Sequence, residues 1–418
     1  MPIASVSQTI ASQHEFVRPD LEMLAMLGGV LWKRIKARTD VKPVSNRPAR
    51  IPFEALSGGK FRSANFDGGD MGLGSGPTQV YGTLSCASFL QASQYTALAE
   101  YATDTDEKAI KNYVSLTQQR ASETFGGYMD AALQGDGSNT LDSVVSAVTN
   151  GLVVNNANAF QDNQDVDVWS ALGGTLRGTI TIQSIDIANN TIWTTGALPT
   201  GTTAGDLLLI SGSAGVANSG LFGLGYYQTS GNSGNYMNVQ RSAYPGKFST
   251  PSIAVNGSLT PAVVRAAEAQ IRLAIGSDRA DQGELVAHCN VDMQAAWENN
   301  ALLVQNVILN EVKGDESVDM LKSKAPTRIA GREIVPNERA KPGRIDFLAL
   351  KHWFRIETKP MDYYEVGGQT LFPSYGVSGG VAASMVFYLV LMAQIGNGQP
   401  RAGAFLSGVT VPKNYFGH

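Results

Sequence analysis

A chain of 418 residues, 43% hydrophobic and 16% charged, has room for two or three domains with real cores. Its net charge of -4 argues against a dedicated nucleic-acid binder. Two cysteines, Cys86 and Cys289, exclude a disulfide framework and suggest a reducing compartment, with one bridge between them still open. The first residues show no basic start followed by an apolar core, so no signal peptide is read. The apolar runs Leu21–Trp32 and Val381–Ile395 are both shorter than the roughly 18–20 residues a membrane helix needs, so the sequence predicts a soluble protein.

Residues 1–18 are polar and aperiodic and read as an extended arm. Pro19 opens a helical pattern to about Arg38, with Leu21, Leu24, Leu27, Leu31 and Ile35 on its apolar face. That pattern ends in Lys33, Arg34, Lys36 and Arg38, which suit a helix C-terminus; an ordinary solvated helix end is the favoured reading, and contact with nucleic acid or an acidic partner is the second. From Ile51 to Gly82, apolar residues are scattered among glycines, which predicts a long projecting hairpin that packs on another subunit. Residues 84–101 read as a helix.

The stretch Asp104–Gln134 predicts a long helix. Its apolar positions Ile110, Tyr113/Val114, Ala121, Phe125, Tyr128/Met129 and Ala132/Leu133 recur mostly at three- or four-residue spacing. Asp104 is a plausible cap, the pair Gly126-Gly127 invites a bend, and Gly135 and Gly137 are stop residues. At 1.5 Å per residue this rod measures about 45 Å.

Leu141–Thr149 reads as a short helix and the following residues as loop. From about Gly173 to Met237 the texture becomes β-rich, with strands in TLRGTITIQSIDI, NTIWTT and DLLLISG and a decorated loop over 211–235. Thr260-Pro261 starts an amphipathic helix to about Ile275, with Val263/Val264, Ala267, Ile271 and Leu273/Ala274 on one face. GELVAHCN reads as a strand and VDMQAAWEN as a short helix. Strands follow in IAGREIVPN, RIDFLALKHWFRIETKP and DYYEV, then a Gly-rich loop over 367–380, then a buried strand over Val381–Ile395.

The residues carry no enzyme signature, and no catalytic, metal or cofactor site is read. His288-Cys289 is the one Cys/His pair, and neighbours on a strand point to opposite faces. Asp162, Asp165 and Asp167 lack the glycine and distal glutamate of a calcium loop. Gly59-Lys60 is followed by Phe61, not by the Ser or Thr of a phosphate-cradling loop.

The order of parts resembles the tailed-phage major capsid proteins of the HK97 fold. The resemblance rests on the arm and the loop Arg50–Gly82, the long helix ending in LQGDG, and the passages VQRSAYP and LTPAVVRAAEAQI. It continues through IDFLALKHWFRIETKPMDYYEVGG and the closing VFYLVLMAQIGNGQPRAGAFLSGVTVP. It implies an α+β fold with an N-terminal arm (1–49), an extended loop (50–83) and a peripheral domain (84–150 and 338–400) whose spine is the helix 104–134. It further implies an axial domain (151–172, 239–337 and 401–418), and the β-rich region 173–238 is an inserted subdomain.

By that resemblance the chain is a capsid subunit, not an enzyme. It would assemble as hexamers and pentamers into the icosahedral shell of a tailed phage in the host cytoplasm. The shell would enclose double-stranded DNA without reading its sequence. Lys60, Phe61, Arg62, Phe66, Leu371, Phe372 and Tyr375 would touch neighbouring subunits. Some members of the family crosslink Lys to Asn. Lys60 lies in the corresponding loop, but no Asn partner or activating Glu is matched, so crosslinking is not carried over. A separate scaffolding protein, a portal and a decoration protein are the implied partners. The alternatives are an encapsulin-like nanocompartment shell and, from another class, a β-rich surface adhesin.

Overall fold

The apolar run that begins at Val381 forms one 17-residue strand, Val381–Asn397, in the computed structural model of the protein. The structure describes residues 29–38, 48–61, 73–96, 113–278, 285–297, 328–329, 332–375 and 381–410. On one edge this strand pairs antiparallel with Ala87–Thr96. On the other it takes first Trp353–Tyr363 and then Leu371–Tyr375, both antiparallel. Its alternate residues Phe387, Leu389, Leu391, Ala393 and Ile395 are buried in one core, as the two-residue period of a strand requires.

Two expectations are corrected here. Residues 84–101 were expected as a helix, but Ala87–Thr96 is a strand whose burial alternates strictly, with Phe89 and Tyr95 inward and Leu90 outward. Leu90 beside Phe89 breaks the polar phase of the alternation, which hides the strand in the sequence. The segment 367–380 was expected as loop, yet Leu371–Tyr375 within it is the edge strand.

The long helix is described over Tyr113–Leu133, while its expected first turns, including Asp104, lie outside the described residues. Ala121, Phe125, Met129, Ala132 and Leu133 enter the same core as the 17-residue strand. Packing accounts for Gly127, the second glycine of the pair, and for Gly29 beside the first. A Cβ on Gly127 would stand 2.3 Å from Gln161 Nε2, and one on Gly29 would meet the Gly126 carbonyl at 3.3 Å. Glycine costs about 1 kcal/mol per position relative to alanine in a helix, and here that cost permits close approach of two other segments. The helix closes with the Gly135 N–H donating to the Ala132 carbonyl at 3.0 Å, and Gly137 takes φ +93°.

Asp130 joins this helix to the N-terminal segment. Its carboxylate is fully buried and accepts from the backbone N–H groups of Val30 (2.6 Å), Leu31 (3.4 Å) and Trp32 (3.0 Å). Those are the first donors of the short helix Val30–Arg34, whose own N-cap, Gly29, has no side chain to offer them. A residue about 100 positions away thus supplies the cap. The expected helix to Arg38 stops at Arg34. Residues beyond it run extended, with Ala37 bridged in parallel to Arg355.

The β-rich region folds as a closed six-stranded barrel, which takes in strands that precede Gly173. It begins with Thr140–Val148, expected as a helix, and includes Gly151–Val154 and Asp165–Trp169, expected in the axial part. It ends at Leu207–Ile210. The misreading of Thr140–Val148 is intelligible, because Leu141, Val144/Val145 and Val148 fall at helical spacing. The barrel has its own core of Val144, Leu152, Val154, Phe160, Val166, Val168, Ile180, Ile182, Ile192 and Leu208. Its first and last strands are neighbours, with Thr140 opposite Leu209 and the Ile210 N–H on the Asn139 carbonyl at 3.0 Å. Asp165 and Asp167 accept from Thr181 and Thr179, each at 2.6 Å, so these carboxylates serve the barrel wall.

The segment 211–235, expected as a decorated loop, leaves the barrel and becomes core. Leu221, Phe222, Leu224, Tyr226 and Tyr227 are buried, as are Tyr236 and Met237 just beyond. Gln394 on the 17-residue strand fixes this return. Its Oε1 accepts from the Phe222 N–H at 2.7 Å, and its Nε2 donates to the carbonyls of Ser85 (3.0 Å) and Gly220 (3.1 Å). Tyr227 Oη donates to the Ile395 carbonyl at 2.6 Å, and Tyr236 Oη to that of Asn397. Buried Arg241 donates to the carbonyls of Phe248 (2.7 Å) and Tyr226 (2.8 Å).

The second sheet has six strands in the order Ser252–Gly257, Ala404–Val409, Ile345–Ala349, Leu285–Cys289, Arg332–Pro336 and Arg328–Ile329. Ile345–Ala349 pairs here, with Leu285–Cys289 and Ala404–Val409, and not in the sheet of Val381–Asn397. The helix Pro261–Ile275 covers one face with Val264, Ala267 and Ile271. Thr260 caps it, Pro261 stands in its first turn and Gly276 ends it with φ +89°. Leu273, expected on its apolar face, is 86% exposed. Cys289 joins Ala287 and Leu285 in the core under this helix, while Val286 joins the first core. Both cysteines are free thiols. Among the described residues no helix is long and apolar enough to cross a membrane.

His288 alternates with Cys289 and is fully buried. Its Nε2 lies 3.4 Å from Asn337 Nδ2, which in turn lies 3.3 Å from Asp130 Oδ2. Asn337 thereby links the six-stranded sheet to the long helix. An amide donor facing Nε2 requires that nitrogen to accept, so the ring is neutral. Burial pushes the imidazole down to about 4, with Asp346 opposing and Arg344 reinforcing. Burial also raises the Asp130 carboxyl above its ordinary value, against the pull of the Trp32 and Val30 N–H groups and Arg339.

The signs of these two groups oppose each other. A depressed His288 contributes stability that is present above its unfolded value of 6.5 and is lost as pH falls toward about 4. The loss is about 3 kcal/mol in full. A raised Asp130 contributes stability that is present below 3.8 and lost as pH rises through its folded value. Urea unfolding of the dispersed subunit is expected to show a midpoint that falls between pH 6.5 and 4.5, and His288→Gln is expected to flatten or invert that slope. An unchanged slope contradicts the assignment. Asp130→Ala is expected to cost about 2–4 kcal/mol at neutral pH by orphaning buried donors, and Asp130→Asn, which keeps an acceptor, distinctly less.

Candidate assembly surfaces

The strands Ala49–Leu56 and Thr78–Leu84 form the projecting hairpin, paired from Ala49 opposite Leu84 to Leu56 opposite Thr78. Its base is fastened to the body. Ala49, Ile51 and Leu84 are buried, and Phe53 meets Tyr236 and Phe248 edge-on at 6.0 and 5.7 Å. The Thr83 N–H donates to the Met237 carbonyl at 2.7 Å, and Asn238 Nδ2 donates to Thr83 Oγ1 at 2.6 Å. Gly82 sits where a Cβ would stand 2.7 Å from the Phe53 ring, so glycine lets the aromatic side chain lie flat on the partner strand.

Ala55 is still buried, and beyond it the described residues of the hairpin are exposed. The Gly59 N–H still reaches the Ser75 carbonyl at 2.6 Å, so its two arms stay together. Lys60 is exposed and Phe61 is wholly exposed, at 106%. Leu56 and Leu73 are also exposed. A phenylalanine side chain gains about 1.5–3 kcal/mol on full burial, none of which this chain collects by itself. Arg62 and Phe66 lie outside the described residues.

The other expected contact residues lie on a different element, the edge strand Leu371–Tyr375. Leu371 is half-buried against the main core. Phe372 lies 5.8 Å from the Tyr388 ring and 6.1 Å from that of Tyr364. Tyr375, at the strand's end, is 73% exposed. Among the described residues the outer edge of this strand has no pairing partner beyond Val381–Asn397. Such an edge offers backbone donors and acceptors to a neighbouring chain.

Other exposed apolar residues escaped the sequence reading. Tyr81 on the hairpin, Leu90 on the strand Ala87–Thr96 and Leu273 on the helix Pro261–Ile275 are each more than half exposed. The signal available for Tyr81 and Leu90 was an apolar residue in the polar phase of an alternating strand, legible only once the strand is known.

No family model matches the chain, and no curated protein matches it in sequence. Solved structures do resemble it. The capsid asymmetric unit of cyanophage A-1(L) is 12% identical over 91% of this chain and 93% of that one, with a TM-score of 0.54. The capsid of the native GTA particle and the procapsid of satellite phage P4 are each 9% identical with TM-scores of 0.45, covering 91% and 94% of this chain and 90% and 91% of theirs. At such identity the likeness speaks of architecture, and on the strength of the cyanophage comparison the chain has the HK97-like fold of phage capsid subunits.

Proposed function

We propose that the chain is a major capsid protein whose copies assemble, as hexamers and pentamers, into a closed icosahedral shell around the double-stranded DNA of a tailed phage. The observation that carries this reading is the correspondence with a capsid subunit over nine-tenths of both chains. The hairpin supports it physically. A two-stranded projection with a wholly exposed Phe61 is a poor feature for a monomer and a good one for an interface repeated by symmetry.

On this reading the helix Tyr113–Leu133 with the four-stranded sheet is the peripheral domain, and the six-stranded sheet is the axial domain. The hairpin is the extended loop, residues preceding it are the arm, and the barrel is a surface insertion. Lys60, Phe61, Arg62, Phe66, Leu371, Phe372 and Tyr375 contact neighbouring subunits. Each contact is weak alone, and holding a subunit at several places at once makes the association strong. A separate scaffolding protein, a portal and a decoration protein complete the assembly, which takes place in the host cytoplasm and ends in the virion.

Deletion of Gly58–Gly76 is expected to leave a subunit that folds, judged by circular dichroism and thermal melting, but forms no closed particles in sedimentation velocity. Normal particles from that variant would exclude the hairpin as an interlocking element. Phe61→Ser is expected to leave the melting midpoint of the dispersed subunit unchanged while raising the protein concentration needed for assembly about tenfold or more, the equivalent of losing one buried aromatic side chain.

A further inference from the structure

The basic residues that end the N-terminal helical pattern are not absorbed by any of the interfaces above. The structure brings three of them, Arg34, Lys36 and Arg38, to one place. After the short helix Val30–Arg34, residues 36–38 run beside the strand Trp353–Tyr363. The Arg355 N–H donates to the Lys36 carbonyl at 2.9 Å, and the Arg38 N–H donates to the Arg355 carbonyl at 2.8 Å. This pairing opens a groove of about 490 Å³ between Arg34, Lys36 and Arg38 on one wall and Lys351 and His352 on the other. Its remaining lining is Ala37, Leu350, Trp353, Phe354 and Gly398, so among the described residues no carboxylate lines it.

The local charge contrasts with the chain, which is net acidic. Arg34 is paired with Glu333 at 2.7 Å, and the Arg38 guanidinium lies over the Phe354 ring at 5.0 Å. Lys36 and Lys351 are exposed and form no ion pair among the described residues. Both aromatic side chains in the lining, Trp353 and Phe354, are buried. The groove therefore offers cations without an exposed ring or apolar pocket that would read a side chain or a base. That is the chemistry of a site for a repeating anion, recognised by charge and not by sequence.

We propose that this groove binds the phosphodiester backbone of nucleic acid, with Lys36 and Lys351 supplying the phosphate contacts from opposite walls. The choice of nucleic acid over an acidic peptide rests on the proposed function, in which a polyanion is enclosed. Two lysines are a modest grip, consistent with contents that must be held without being read.

The test uses the dispersed full-length subunit and fluorescence anisotropy with two labelled probes, a short DNA duplex and a polyglutamate peptide, over a salt series. Binding of the duplex to the wild type, a loss of about tenfold or more in Lys36→Gln/Lys351→Gln, and a salt slope shallower by about two support the proposal. Lys247→Gln/Lys341→Gln removes the same charge at exposed positions outside the groove and is expected to bind like the wild type. Thermal melting verifies that each variant folds, and Lys351→Gln alone is expected to show about half the change in slope. No duplex binding by the wild type, or equal losses in both double variants, overturns the proposal. Tighter binding of polyglutamate than of duplex through the same two lysines also overturns it and assigns the groove to an acidic protein segment. None of these readouts requires assembly, so they stand apart from the success or failure of the shell reading.

Discussion

Gln394 is the polar fastening on which the body depends. It sits toward the end of an apolar strand, fully enclosed, and its amide meets two segments that the sequence sets far apart. Ser85 stands between the hairpin and the strand Ala87–Thr96, and Gly220 and Phe222 stand where the chain comes back from the barrel. A buried amide with all its partners satisfied specifies one arrangement, because any slip of register leaves donors and acceptors unpaired in a medium that cannot solvate them. The phenolic groups of Tyr227 and Tyr236 repeat the device one and three residues further along the same strand. The strand is thus both the centre of a sheet and the rail on which the returning segment is set.

From that fixed body, parts project whose apolar surface the chain itself cannot bury. The hairpin is rooted by Phe53, Leu84 and Thr83, then extends until Phe61 stands wholly in solvent. The first and last strands of the barrel are adjacent, so the chain enters and leaves it side by side. Asp130 and Asn337 couple the long helix to the N-terminal segment and to the six-stranded sheet through buried hydrogen bonds. A rigid body with exposed apolar extensions is the arrangement expected of a subunit completed by its neighbours.

The sequence disclosed much of this. The stop at Gly135 and Gly137, the cap at Thr260 and the strand from Val381 follow from turn and period rules acting on nearby residues. The projecting hairpin was legible from apolar residues scattered among glycines. What stayed hidden was set by distant partners. Ala87–Thr96 is a strand because Val381–Asn397 lies beside it, and its own residues, with Leu90 outward, do not declare that. Thr140–Val148 carries a helical spacing of apolar residues and is a strand because the barrel must close. The glycine- and asparagine-rich run 211–235 looked like decoration since its aromatic residues lack periodicity, and only Gln394 and the tyrosine hydrogen bonds show why Leu221, Phe222 and Tyr227 are core. For the candidate surfaces, exposure of Lys60 and Phe61 was foreseeable from the loop that bears them. The basic groove was not, because its walls are separated by more than 300 residues.

The account's central claim is that many copies of this body complete one another's exposed surfaces. Electron microscopy of the purified full-length protein tests it most directly. The account predicts closed hollow shells or curved sheets built from repeated rings of subunits. A dispersed monomer at every concentration and salt condition, with Phe61 and the edge strand Leu371–Tyr375 left in solvent, would contradict it.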